Sequence, residues 1–396
     1  MTIPDSWLLP EGVEEMLPEA AQNLEQLRRD LVDLYTSWGY ELVIPPLIEF
    51  LDSLLTGTGN DLDLQTFKLT DQLSGRMMGM RADMTPQVAR IDAHRLKREV
   101  PTRLCYLGSV LLTRSDGLGG SRSPFQVGAE LYGHRGYESD IEVLSLMLET
   151  LSIAGIREVY LDLGHVTIFR SLARQVKLLE EQERILFDAL QRKALPELRE
   201  HLITCNLTKN QQQHFLNLAE LSGGEEVLTA GLEQLGSINP EIESALQTLS
   251  RIATAIRQRL PELPIHFDLT ELRGYHYHTG VVFAAYAPGH GQEVARGGRY
   301  DGIGQVFGQA RPATGFSTDL RTLLALGKVN PQPVKRVYAP PMGDAGLDLY
   351  VDKLRAQGLQ VVRALPGADL EPENLGCDRE VCYQDGKWVV VPVTSL

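Results

Sequence analysis

Leu272-Arg-Gly-Tyr-His-Tyr-His-Thr-Gly280, followed by Arg296-Gly-Gly-Arg-Tyr-Asp301, is the part of this 396-residue chain on which its reading turns. Side chains of an extended strand alternate between faces. A strand here puts Arg273, Tyr275, Tyr277 and Thr279 on one face and His276 and His278 on the other. A Gly-Gly turn carrying Arg299 and Tyr300 would complete a polar, aromatic wall. Such a wall suits a carboxylate and a flat ring. It also suits the amphipathic edge of an ordinary sheet, so these residues alone leave both readings open.

The surrounding pattern is that of a mixed α and β protein. Leu24, Leu27, Leu31, Leu34 and Tyr35 recur at helical spacing after Pro18 and predict a helix to about Ser37, ended by Gly39. Tyr40–Ile44 reads as a strand stopped by Pro45-Pro46. Phe67–Leu69 and Arg76–Met80 read as a hairpin, and Thr85-Pro86 opens a helix that runs to Leu96. Cys105–Thr113, Phe125–Gly133 and Val159–Leu163 are strand candidates, with a helix over Asp140–Ala154. The glycine-rich stretch Ser115–Ser121 matches no Walker pattern and reads as a hairpin loop. From about 166 to 260 the composition turns to Leu, Glu, Gln and Arg at helical spacing, a helical insertion; strands return at Ile265 and over Phe283–Tyr286. Pro331-Gln-Pro333 reads as a linker. Beyond it, Arg336–Ala339, a helix over Leu347–Gln357, Gln360–Arg363 and a hairpin about Asp385-Gly386 predict a small α/β unit.

Composition narrows the function classes. With 43% hydrophobic and 23% charged residues the chain is of ordinary globular make-up, long enough for two or three domains. A formal charge of -14, with no Lys/Arg run longer than two, argues against a nucleic-acid surface, which needs clustered cations. Cys105, Cys205, Cys377 and Cys382 form no CxxC, as expected of reduced thiols in the cytoplasm. No signal peptide and no apolar run of membrane-spanning length is visible. His276 and His278 could share a metal ion at i, i+2 spacing, but no third ligand is evident. No metal, cofactor or membrane partner is therefore expected.

Read in order, these pieces resemble a histidyl-tRNA synthetase core from about Pro10 to Leu324. The marks are Leu9-Pro-Glu-Gly12, Trp38-Gly-Tyr40 leading to Pro45, Met80-Arg-Ala-Asp-Met-Thr85, Tyr106-Leu-Gly108, Gln126-Val-Gly-Ala-Glu130, the two opening segments and Gly315-Phe316. Each is weak alone; their order is specific. The resemblance implies an α+β fold of the class II synthetase type, a six- or seven-stranded antiparallel sheet flanked by helices. It also implies a homodimer formed through the first helix and strand. The expected organisation is a synthetase-like domain over 1–328, with the helical insertion, and the small C-terminal α/β unit over 334–396.

The resemblance also implies a histidine pocket. Asp83, where the family usually has glutamate, would receive the α-ammonium with Thr85 and Gln126. Glu130 would accept from the imidazole, Arg273 would meet the carboxylate, and Tyr277 and Tyr300 would line the ring. His278 stands where the family has a second tyrosine, which puts ring recognition there in question. Adenylation needs fixed cations on the phosphates. At the two arginine positions of the synthetases this chain has Leu112 and Thr322. Arg114 and Arg321 lie near them but out of register, and a substitute role for Arg114 stays open. The C-terminal unit is shorter than the usual anticodon-binding domain.

A synthetase body with an amino-acid pocket, no ATP arginines and no full anticodon domain resembles the regulatory subunits of ATP phosphoribosyltransferase. Arg81-Ala-Asp-Met-Thr-Pro-Gln-Val-Ala-Arg90, Ala129-Glu-Leu-Tyr-Gly-His134 and Gly274-Tyr-His-Tyr-His278 match that family in detail. It implies no catalytic residues and a partner, the short catalytic subunit, held in a hetero-octamer, activated by this chain and inhibited through it by histidine. The alternative is a ligase that activates histidine for tRNA or an amine acceptor, with Arg114 or Arg321 rescuing the phosphate site.

Overall fold

The computed structural model describes residues 7–56, 60–115, 120–271, 277–308, 310–327, 336–341, 343–367 and 371–393. The chain divides into two compact units, Met1–Val329 and Asn330–Leu396. Strands of the first unit are β1 (Glu41–Val43), β2 (Ile48–Phe50), β3 (Phe67–Thr70), β4 (Met77–Met80), β5 (Thr102–Ser109) and β6 (Phe125–Tyr132). They continue as β7 (Tyr160–His165), β8 (Ser222–Gly223), β9 (Ile265–Asp268), β10 (Val281–Tyr286), β11 (Glu293–Arg299) and β12 (Ala313–Asp319). Among the described residues, nine of these build one sheet in the order β1-β5-β6-β12-β11-β10-β7-β9-β8, and β2-β4-β3 form a separate sheet.

From β5 through to β7 every neighbouring pair of the large sheet is antiparallel. The β1/β5 and β7/β9 pairs are parallel. The sheet is therefore wider than the six or seven strands implied above. The helical insertion accounts for part of the excess, because β8 lies within it and pairs with β9. The insertion consists of the helices Val166–Gln175, Glu180–Gln191, Leu195–Thr204, Lys209–Glu220, Glu226–Leu235 and Pro240–Arg259.

Alternation along β6 separates the two faces of the sheet. Val127, Ala129 and Leu131 enter the main core, which is shared with the helices Pro18–Ser37 and Tyr137–Ile153 and with the insertion. The first of these helices begins at Pro18 and buries Leu24, Leu27, Leu31, Leu34 and Tyr35, the stripe its sequence predicts. The opposite face carries a smaller apolar cluster around Met84, Val88, Leu104, Tyr106, Tyr132 and Tyr300. The helix Thr85–Arg90 contributes to it and passes into a single π-helical stretch, Ile91–Leu96.

Several expected boundaries move, and two moves matter for the site. The strand expected over Cys105–Thr113 ends at Ser109, so Leu112 and Arg114 lie in irregular chain. The expected strand through Leu272–Gly280 begins only at Val281; Tyr277–Gly280 is irregular, and residues 272–276, with Arg273, Tyr275 and His276, lie outside the described residues. Gly297-Gly298 is no turn but the interior of β11.

The second unit has strands β13 (Arg336–Ala339), β14 (Gln360–Arg363), β15 (Arg379–Gln384) and β16 (Lys387–Pro392), ordered β14-β13-β15-β16. The helix Ala345–Ala356 packs Leu347, Val351 and Leu354 into its core. Asp385 and Gly386 both have positive φ, which the tight β15–β16 hairpin requires. The four cysteines are free thiols. Among the described residues no helix is long and apolar enough to cross a membrane.

Candidate ligand-binding site

The polar face of β6 presents Gln126, Gly128, Glu130 and Tyr132 on one side. Glu130 is buried, 1% exposed, and each of its oxygens accepts a phenol. Tyr106 donates to Oε1 at 2.9 Å and Tyr300 donates to Oε2. Burial pushes its carboxyl up to about 8; the two phenol bonds pull the other way and Asp83 adds to the rise. The Tyr106 and Tyr300 phenols are themselves held well above their ordinary value, by burial first and then by the neighbouring carboxylate.

This buried carboxyl fits because the strands beside it carry glycine. Gly315 faces Glu130 across β12, and Gly298 faces Gly315 across β11. A Cβ on Gly315 would overlap Glu130 Oε2, and one on Gly128 would overlap the Tyr106 hydroxyl. A Cβ on Gly298 would come 2.8 Å from Cδ2 of His278, whose ring covers it. Three glycines thus floor the site beneath a carboxyl, a phenol and an imidazole.

Asp83, Thr85 and Gln126 meet at the other end. Gln126 Nε2 donates to Asp83 Oδ1 at 2.7 Å, and its Oε1 accepts the Met84 N–H at 2.9 Å. The Thr85 N–H donates to the same Asp83 oxygen at 3.0 Å. Thr85 Oγ1 lies 3.1 Å from the Tyr106 hydroxyl; since that hydroxyl donates to Glu130, Thr85 is the donor here. Tyr106 therefore joins the aspartate end to the glutamate end. Tyr277 stacks on Tyr300 with ring centroids 4.9 Å apart, and His278 meets Tyr277 edge-on at 5.4 Å.

Of the residues singled out from the sequence, Asp83, Thr85, Gln126, Glu130, Tyr277, His278 and Tyr300 come together; Arg273 lies outside the described residues. Arg299 does not join the wall. It points to the opposite face and binds Asp140 (Nε to Oδ1 3.1 Å), Ser139 Oγ (2.8 Å) and the Gly136 carbonyl (3.0 Å). Tyr106 and Tyr132 were missed as site residues. The even-numbered alternation along β6 was the signal for Tyr132, whose hydroxyl lies 3.5 Å from that of Tyr300.

Beside the aspartate end opens a cavity of about 490 Å³ whose lining includes Asp83, Gln126, Leu112 and Thr322. Its described lining carries three carboxylates, Asp83, Glu293 and Asp319, and a single guanidinium, Arg296. Arg296 is paired with Glu293 at 3.0 Å. Arg114 is exposed and Arg321 reaches the Glu14 carbonyl at 3.3 Å; neither lines the cavity. A polyphosphate here would face net negative charge.

The first unit matches the histidyl-tRNA synthetase family over residues 12–323, and residues 334–391 match the ATP phosphoribosyltransferase subunit HisZ C-terminal domain. An ATP phosphoribosyltransferase regulatory subunit of Thioalkalivibrio sulfidiphilus is 57% identical over 98% of this chain and 99% of its own length. One of Nitrosococcus oceani is 54% identical over 100% and 99%. This chain belongs to the ATP phosphoribosyltransferase regulatory subunits. A crystal structure from Bacillus halodurans, described as such a regulatory subunit/histidyl-tRNA synthetase, superposes with a TM-score of 0.82 at 27% identity, covering 95% of this chain and 97% of that one. Histidyl-tRNA synthetase from Nostoc shares the fold, with a TM-score of 0.77 at 19% identity over 98% and 97% of the two chains. The regulatory subunit thus has the class II synthetase fold and a non-catalytic role in histidine biosynthesis.

Proposed function

We propose that this subunit holds free histidine in the pocket between Asp83 and Glu130 and transmits its presence to a short catalytic subunit of ATP phosphoribosyltransferase. In the absence of histidine it activates that partner; with histidine bound it inhibits it. Asp83, Thr85 and Gln126 receive the α-ammonium, Glu130 takes an imidazole nitrogen, Tyr277, Tyr300 and His278 enclose the ring, and Arg273 meets the carboxylate. The assembly is a hetero-octamer built on a homodimer of this chain, working in the cytoplasm without nucleic acid.

The observation that carries this reading is the contrast between the two halves of one site. The amino-acid half is a connected set of hydrogen bonds from Asp83 through Thr85 and Tyr106 to Glu130. The adjoining half has Leu112 and Thr322 and an excess of carboxylates. Such a site suits an amino acid kept intact. Regulation needs histidine to bind one assembly state better than the other, and a preference of about 1–3 kcal/mol changes activity about 5- to 150-fold.

Equilibrium binding of histidine, paired with an ATP–pyrophosphate exchange assay, tests it. Saturable histidine binding with no exchange is expected. Histidine-dependent exchange would instead make this a ligase.

A further inference from the structure

A second polar constellation stands at the far edge of the large sheet, away from the pocket. Gly128, Ser317, Arg296, Ala284, Asp162 and His266 are successive cross-strand partners, running from β6 across β12, β11, β10 and β7 to β9. At roughly 4.8 Å per strand, His266 is about 24 Å from the pocket floor. There Asp162 Oδ1 lies 2.7 Å from His266 Nδ1, and Ser222 Oγ, on the edge strand β8, lies 3.2 Å from His266 Nε2. Ser222 and His266 are exposed, and the Asp162 side chain is the sheltered member at 16%.

A carboxylate only accepts, so Nδ1 carries the imidazole proton and Nε2 presents its lone pair. Ser222 is then the donor to Nε2. That is the polarity of a hydroxyl with a base in reach of its proton, and of a base held by a third group. Glu226 is a second carboxylate near the ring: its own and the Gly224 N–H hold its carboxyl below the ordinary value, and His266 adds to the effect. Two carboxylates thus favour the imidazolium that forms when the base takes a proton. We propose that Ser222 is a covalent modification site that takes an acyl group from activated acyl esters, with His266 as general base and Asp162 as positioning residue. Oγ bonds to the acyl carbon while its proton passes to Nε2. The bond from that carbon to the leaving oxygen then breaks, and Nε2 gives the proton to the leaving oxygen. The Gly224 N–H is taken by Glu226 Oε1 at 2.8 Å and does not serve a developing oxyanion. A single slow acylation, without rapid turnover, is therefore expected. The assignment is independent of the histidine reading.

The test incubates the full chain with p-nitrophenyl acetate and maps acetylated residues against time by peptide mass spectrometry, which keeps lysine acetylation out of the measure. Ser222 should gain one acetyl group, faster than any other serine of the chain. Ser222→Ala should lose that label. His266→Gln and Asp162→Asn should each slow labelling of Ser222 by roughly tenfold or more, the effect of removing a general base or its support. Unchanged thermal midpoints verify the fold of the variants, so a slower reaction at an unchanged midpoint separates positioning from a structural role. An unlabelled Ser222, or one labelled as fast in His266→Gln as in the unsubstituted chain, overturns the assignment. Labelling slowed by His266→Gln but not by Asp162→Asn overturns the part given to Asp162.

Discussion

Glu130 occupies the space that a side chain on Gly315 would need. The two residues are direct cross-strand partners on β6 and β12, and Oε2 of the carboxyl lies where a Cβ would be built. The Ala129 carbonyl, 2.8 Å from the same point, blocks the other way out. Gly315→Ala must therefore displace Glu130 from its two phenols or shift β12. Overpacking of this kind costs on the order of 1–3 kcal/mol. A lowered urea midpoint and a loss of histidine affinity are expected together; unchanged affinity would separate the glycine floor from the ligand.

Glu130 also gives the fold a pH dependence of unusual sign. Its folded-state value of about 8 lies above the ordinary 4.5 because burial disfavours the anion. Below about 4.5 both folded and unfolded chains hold the proton, and the group contributes nothing to the slope. As pH rises from there to about 8, the unfolded chain loses its proton and the folded one keeps it, so stability falls; above about 8 the loss is constant. Glu130→Gln should therefore flatten the dependence of the thermal midpoint on pH between about pH 5 and about pH 9, with its largest relative gain at the alkaline end. Parallel profiles for the two proteins would show that Glu130 ionises normally.

How much of this was legible in the sequence differs from element to element. Periodicity located the helix Pro18–Ser37 because its stripe of leucines has a single solution. Gln126 and Glu130, four apart on a strand, announced a polar face, and that face holds the site. Arg299 was misplaced because the sense of alternation in β11 was unknown. Its neighbours Gly297 and Gly298 read as a turn, whereas they are glycines where strand backbones and rings approach closely. Tyr106 was quoted as a motif residue and given no role. Its link between Thr85 and Glu130 depends on contacts between distant segments, which spacing does not encode.

The ammonium end gives a prediction with an internal control. Asp83→Asn removes a charge-assisted contact worth about 1.5–3 kcal/mol, so histidine should bind about 10- to 100-fold more weakly. Imidazolepropionate, which lacks the ammonium, should not lose affinity in the variant. Equal losses for both ligands in a calorimetric titration would mean that the substitution acts through Gln126 and the pocket shape instead.

Arg299 and Asp140 form a buried ion pair on the far side of the sheet, 7% and 2% exposed. Asp140→Ala would remove its buried carboxylate and leave the guanidinium only the more exposed carboxylate of Asp301, Nη1 to Oδ1 3.3 Å, at a cost of up to about 3–5 kcal/mol. Urea unfolding should show that loss in full. Calorimetry on the fraction that remains folded should give a near-normal histidine affinity, as befits a pair that stabilises β11 and does not touch the ligand.

The most direct measurement is the rate of phosphoribosyl-ATP formation by the short catalytic subunit, taken alone, with this chain, and with this chain plus histidine. The rate should rise when the chain is added and fall back as histidine fills the pocket. An unchanged rate with a competent partner, or an enhancement that saturating histidine leaves intact, would contradict the account.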